Sequence, residues 1–114
     1  MLQEISEGKK IPGYGDGRMN HIDPRFLHQK AFAERYLKND SLFYIMKRVY
    51  RVAPGLLKTV GKTEWVWPTV NASCGMLLYS LGIKEIEFFS TVFGVARSIG
   101  VGSNLVLSRA FGNL

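Results

Sequence analysis

The apolar and polar positions divide the chain into a polar, glycine-rich start and a series of helix-length segments. Over 24–37 the residues Phe32, Ala33, Tyr36 and Leu37 share one side of a 3.6-residue repeat, which predicts a helix turning that side toward a core. Asp23-Pro24 opens it, with aspartate as cap and, in the first turn, a proline that has no N–H to leave unsatisfied. Asn39-Asp40-Ser41 ends this helix and caps the next. There Ile45, Met46, Val49, Val52, Ala53, Leu56 and Val60 recur at helical spacing, while Lys47, Arg48, Arg51, Lys58 and Lys62 gather on the opposite side. Pro54 is predicted to kink or interrupt this second helix, because its ring crowds the preceding turn. Phe43, Tyr44 and Tyr50 read as packing residues, and Trp65 and Trp67 as anchors of the loop 63–69.

After Asn71 an apolar segment ends near Leu81, with Gly82 as its terminator. Being apolar on nearly every side, it is expected to be buried. The segment 84–111 is longer still and mostly apolar, with Gly94, Gly100 and Gly102 permitting close helix contacts. Its length fits a membrane span, but Glu87, Arg97 and Asn104 oppose that reading. A charge at the centre of a span costs about 2.5–3.5 kcal/mol. The sequence has no strand alternation, internal repeat or metal-ligand spacing, and His21 and His28 stand isolated. These patterns predict an all-α fold, with an irregular arm at 1–17 and a helical domain at 18–114.

Composition adds a charge asymmetry. Residues 1–62 hold twelve of the fifteen Lys and Arg but six of the nine Asp and Glu, so that half carries the whole net charge of +6. The surplus reads as a solvated helix face, or as a contact for an acidic protein, anionic lipid or RNA phosphate. A hydrophobic content of 46% is high for 114 residues and predicts apolar surface covered by another subunit. Cys74 stands alone, so it forms no internal disulfide. Neither a signal peptide nor an Arg- and Ser-rich transit segment is recognisable at the amino terminus.

Three segments then stand out: Gly13-Tyr14-Gly15-Asp16, Asp23-Pro24-Arg25-Phe26 and Trp67-Pro68-Thr69-Val70-Asn71. With Phe93-Gly94-Val95-Ala96-Arg97-Ser98-Ile99-Gly100 and Ser108-Arg109-Ala110-Phe111-Gly112, they resemble the carboxy-terminal part of citrate synthases of the eukaryotic, mitochondrial type. The correspondence runs without a gap over 12–112. It implies a citrate-synthase small-domain-like helical bundle plus one long carboxy-terminal helix.

The resemblance also implies chemistry. At Asp16 the family carries a histidine that donates a hydrogen bond to the oxaloacetate carbonyl as it becomes an alkoxide. At Asn71 it carries an aspartate that removes a proton from the acetyl-CoA methyl group, and at Asn20 an arginine that binds oxaloacetate. An ionised Asp16 offers acceptors only and sets a negative charge beside a dicarboxylate. The amide of Asn71 is no general base, so Asn71 is expected instead to cap the helix that follows it. Arg18 and His21 lie close by in sequence, yet an arginine on another loop position does not reproduce a bidentate carboxylate grip. Arg97 matches a substrate-contacting arginine, although in an apolar helix it reads better as half of a structural ion pair.

In citrate synthases a further histidine and much of the CoA surface lie upstream, and an arginine that reaches the partner subunit lies downstream. The expectation is therefore a catalytically inactive fragment, a structural accessory subunit on the matrix side of a mitochondrial assembly such as a respiratory complex, ATP synthase or mitoribosome. Other subunits would cover its apolar carboxy-terminal helix, and no autonomous small-molecule substrate, cofactor or metal is expected. The alternatives are one chain of a split citrate synthase completed in trans, and a basic RNA-binding module contacting phosphates through Lys47, Arg48, Arg51, Lys58 and Lys62.

Overall fold

The structure is a computed structural model that describes residues 2–61 and 63–112, except for the side chains of Leu2 and Glu4. Its elements are α1 (Leu2–Ser6), α2 (Pro24–Tyr36), α3 (Ser41–Thr59), a 3-10 turn Val70–Ala72, α4 (Cys74–Ser80), a second 3-10 turn Ile86–Phe88 and α5 (Phe89–Ala110). The fold is all-α, as the apolar periodicity predicts. Among the described residues the only strand-like pairing is an isolated antiparallel bridge between Tyr14 and Pro68. The chain forms two units, Met1–Ile83 and Lys84–Leu114.

The first unit is built on two linked apolar clusters. Phe26, Ala33, Phe43 and Met46 form one, between α2 and α3; Tyr14, Ala53, Leu57 and Val66 form the other. Half-buried Ala72 touches both. The core row of α3 is thus Phe43, Met46, Ala53 and Leu57, with half-buried Tyr50 in a tilted ring contact at 5.1 Å with Phe26. Ile45 and Val52, expected on the core side, are 55% and 48% exposed. The helix has more apolar residues than one packing row accommodates, and sequence spacing alone could not say which row faces inward. Tyr44, read as a packing residue, is exposed and accepts a hydrogen bond from Arg48.

Similar corrections apply elsewhere. In α2, Phe26 and Ala33 are buried two turns apart, whereas Phe32 and Tyr36 lie outside with their rings in tilted contact at 4.7 Å. Pro54 does not interrupt α3, which runs continuously from Ser41 to Thr59. No residue of α4 is fully buried despite its apolar composition, although Met76 and Leu77 pack against the Phe26 cluster. Gly82, with φ +108°, follows α4 as a left-handed terminator. Val66 and half-buried Trp67 pin the 63–69 loop, while Trp65 remains 40% exposed. The segment expected as an irregular arm starts with the helical stretch α1, and both Ile5 and Tyr14 are buried.

Asp23 fixes the start of α2. Its carboxylate accepts the Arg25 backbone N–H at 2.9 Å and the Arg25 guanidinium at 3.0 and 2.8 Å. It also accepts the Val70 N–H at 2.9 Å, so one buried side chain both caps a helix and ties down the 3-10 turn. The Arg25 guanidinium beside it holds its pKa below the usual carboxylate range against the opposing effect of burial.

In the second unit, taken by itself, α5 has no buried residue, and Val95, Ile99 and Val106 are 60–69% exposed. No helix among the described residues is long and apolar enough to cross a membrane.

Candidate functional site

The loop carrying Asp16 and the turn carrying Asn71 are stitched side by side. The carbonyl of Gly13 accepts the Thr69 N–H at 2.8 Å and the Thr69 hydroxyl at 3.2 Å, and Gly15 N–H donates to the Trp67 carbonyl at 3.3 Å. Asp23 N–H donates to the Pro68 carbonyl at 3.2 Å. Glycine at position 13 is what permits this approach. Its φ is +81°, and a Cβ there would lie 2.6 Å from the Ala72 nitrogen.

The result is an open cleft of about 360 Å³ that brings Asp16 and Asn71, 55 positions apart in the chain, into one lining together with Lys10, Tyr14, Arg18 and Thr69. Asp16 faces a cation. Its carboxylate accepts Arg18 Nε at 3.0 Å, Nη2 at 2.7 Å and the Arg18 backbone N–H at 3.0 Å. These side-chain and backbone hydrogen bonds lower its pKa to about 2, so it is ionised at neutral pH as the sequence predicts. The negative charge expected to repel a dicarboxylate is, however, neutralised within the loop. Arg18, dismissed at the sequence level as a bidentate ligand, makes a bidentate contact to Asp16 itself.

Asn71 is not the helix cap that its position suggested. Thr69 caps the 3-10 turn by accepting the Asn71 N–H at 3.3 Å, and Ser73 occupies the cap position of α4. Thr69 takes that role because its oxygen lies two residues ahead of the donor, the usual reach of a short capping side chain. The Asn71 side chain is exposed and makes no hydrogen bond to the described residues. It is free for the cleft.

Asn20 does not line this cleft; it is exposed and hydrogen-bonded to His21 Nδ1 at 2.9 Å. Arg97, in the second unit, forms no ion pair with the described residues; its guanidinium lies 4.8 Å from the ring of Phe93 one turn earlier on α5. Among the described residues its contact is this cation–π one rather than the expected structural ion pair. Among the basic residues of α3, Arg48, Arg51 and Lys58 are exposed, while Lys47 is half-buried over the Phe43 ring at 4.7 Å. Lys62 lies outside the described residues.

Sequence reasoning missed a second cavity. About 230 Å³ in volume, it lies between α1, the 8–15 loop and the end of α3, and Ile5, Ile11, Tyr14, Leu57 and Trp65 give it an apolar lining. The buried Tyr14 hydroxyl has no hydrogen-bond partner among the described residues, and burial pushes its pKa up to about 12. Burial likewise raises the pKa of the Cys74 thiol. No group of three or more His, Cys, Asp or Glu among the described residues is arranged to hold a metal ion.

The all-helical architecture is the one implied by the sequence resemblance. A family model described as citrate synthase, C-terminal domain, matches residues 1–113. The mitochondrial citrate synthase of Fragaria ananassa is 42% identical over 108 residues, covering 95% of this chain and 23% of that protein. Citrate synthase 4, mitochondrial, of Arabidopsis thaliana is 41% identical over the same extent, and a peroxisomal citrate synthase of Saccharomyces cerevisiae is 40% identical. The chain belongs to the citrate synthase family. Mitochondrial localisation is in keeping with the names of most of these relatives, the yeast one being named as peroxisomal. It spans about a quarter of the length of the relatives it matches. The expectation of a chain that is not an enzyme is overturned: the relatives are named for an enzyme, and the substituted positions on which that expectation rested do not establish loss of activity.

Proposed function

We propose that this chain serves as the carboxy-terminal segment of a citrate synthase, condensing acetyl-CoA with oxaloacetate together with the remaining three quarters of such an enzyme, carried on the same or a companion polypeptide. The observation that carries the reading is the cleft in which Asp16 and Asn71 meet. In the condensation the acetyl methyl group loses a proton, and its carbon bonds to the oxaloacetate carbonyl carbon. The carbonyl oxygen becomes an alkoxide and takes up a proton; hydrolysis of the thioester then releases CoA and citrate. Asn71, with two N–H donors and no hydrogen-bond partner for its side chain among the described residues, is suited to steady the alkoxide. Asp16 is the only carboxylate of the cleft lining among the described residues, and the group there that accepts a proton from carbon. The rest of the enzyme is assigned to covering the exposed apolar face of α5.

While Arg18 grips it, Asp16 is a weak base, so slow turnover follows from the geometry. The test is complementation. The chain is combined with a mitochondrial relative lacking its own final quarter, and CoA release from acetyl-CoA plus oxaloacetate is recorded. Citrate formation is expected, and the double change Asp16→His with Asn71→Asp should raise turnover about 10²–10⁴-fold, the range of a positioned acid–base group. If the relative's own segment restores activity and this chain does not in either form, the reading fails.

A further inference from the structure

The cleft sets two cations, Lys10 and Arg18, against one carboxylate, Asp16. Arg18 places both Nε and Nη2 on that carboxylate, at 3.0 and 2.7 Å, which is the two-point contact by which an arginine fork recognises a free carboxylate. The contact is open to exchange, since the Arg18 side chain is 88% exposed and that of Asp16 28%. Exposed ion pairs of this kind are held only weakly against water. Gly17, between the two residues, has nothing within 4 Å of the place a Cβ would take. In the same lining, the Asn71 amide makes no hydrogen bond to the described residues and offers donors to a second oxygen of the ligand.

We propose that Arg18 is the receptor for a carboxylate ligand in this cleft, and that Asp16 is an internal carboxylate that occupies the receptor until the ligand displaces it. The inference rests on the cleft being the substrate site and names the anionic group that the site recognises. A carboxylate is favoured over phosphate because the fork already holds a planar two-oxygen acceptor in this geometry. One consequence concerns chemistry. The other ionisable groups of the lining are Lys10 and Tyr14, so when Arg18 turns to the ligand, Asp16 loses the hydrogen bonds that suppress its basicity while only the Lys10 charge remains to oppose its protonation. Arrival of the ligand thereby frees the carboxylate as a proton acceptor.

The experiment titrates the full 114-residue chain with succinate and, separately, with inorganic phosphate, following the Arg18 Nε–H and the Asp16 carboxyl carbon by NMR. Asp16→Asn removes the competing charge and is expected to tighten succinate binding by up to about fivefold, the range set by an exposed ion pair. Arg18→Gln in the Asp16→Asn background should abolish the gain, and Arg18→Lys, which keeps the charge without the fork, should lose most of it. In the unaltered chain succinate should shift the Asp16 carboxyl titration upward. An unchanged or weaker affinity in Asp16→Asn, a gain that survives Arg18→Gln, or phosphate binding as tight as succinate would overturn the proposal. The succinate pattern without citrate formation in the complementation assay removes the enzymatic reading alone. Citrate formation without the pattern removes the receptor alone.

Discussion

Replacing Asp23 with alanine tests the joint that assembles the site. The side chain is 1% exposed and accepts hydrogen bonds from the Arg25 backbone, the Arg25 guanidinium and the Val70 N–H. Loss of the α2 cap costs about 1 kcal/mol. The Val70 N–H, at a position only 5% exposed, is left without its acceptor, which adds about 1–3 kcal/mol. The ion pair itself is left out of the sum, because the Arg25 side chain is 58% exposed and water takes over its contacts. The expected loss is therefore roughly 2–4 kcal/mol, a large share of the stability of a small domain. Urea unfolding followed by the fluorescence of Trp65 and Trp67 measures it. Since the folded-state pKa of Asp23 lies below its unfolded value, its contribution is fully present above about pH 4 and fades as pH falls through the lowered pKa. The variant should accordingly show a shallower acid limb. A loss below about 1 kcal/mol, or an acid limb unchanged by the substitution, would refute the assignment of Asp23 as the tie between α2 and the Asn71 turn.

Gly13→Ala forces a left-handed residue and a 2.6 Å approach to the Ala72 nitrogen, so thermal melting should show a loss of at least about 1–2 kcal/mol. Phe26→Ala, at a fully buried ring, should cost about 3–5 kcal/mol, whereas Ile45→Ala, at a residue 55% exposed, should cost under about 1 kcal/mol. Equal losses in denaturant titrations would show that the inward row of α3 is misassigned. Asn71→Ala should leave stability within about 0.5 kcal/mol of the parent, because Thr69 supplies the cap. A cap role for Asn71 would instead appear as a loss of about 0.5–2 kcal/mol in the same measurement.

Much of the architecture was legible in the chain because it depends on local rules. Asp23-Pro24 marks a helix start through the reach of a carboxylate to nearby backbone N–H groups and the missing N–H of proline, and both act within one turn. The same holds for Asp40, whose side chain accepts the Phe43 N–H at 2.9 Å, and for Gly82 as a left-handed stop. The motifs from Gly13-Tyr14-Gly15 to Ser108-Arg109-Ala110 carried the family and hence the all-α class. The inward row of α3 was less legible, since Ile45 and Val52 are as apolar as the residues that are buried.

The sequence by itself determined the helices α2 and α3 with their aspartate caps, the family and the three substituted positions, because each follows from short-range backbone chemistry or from the identity of residues in order. Only the tertiary structure decided that Arg18 neutralises Asp16, that Thr69 rather than Asn71 caps the 3-10 turn, and that Asp16 and Asn71 share one cleft. Those outcomes depend on the Gly13 carbonyl meeting Thr69, and on the Asp23 carboxylate reaching Val70 across 47 positions. Partners so far apart in the chain are chosen by packing, through the close approach that Gly13 allows, and no periodicity along the chain encodes that choice.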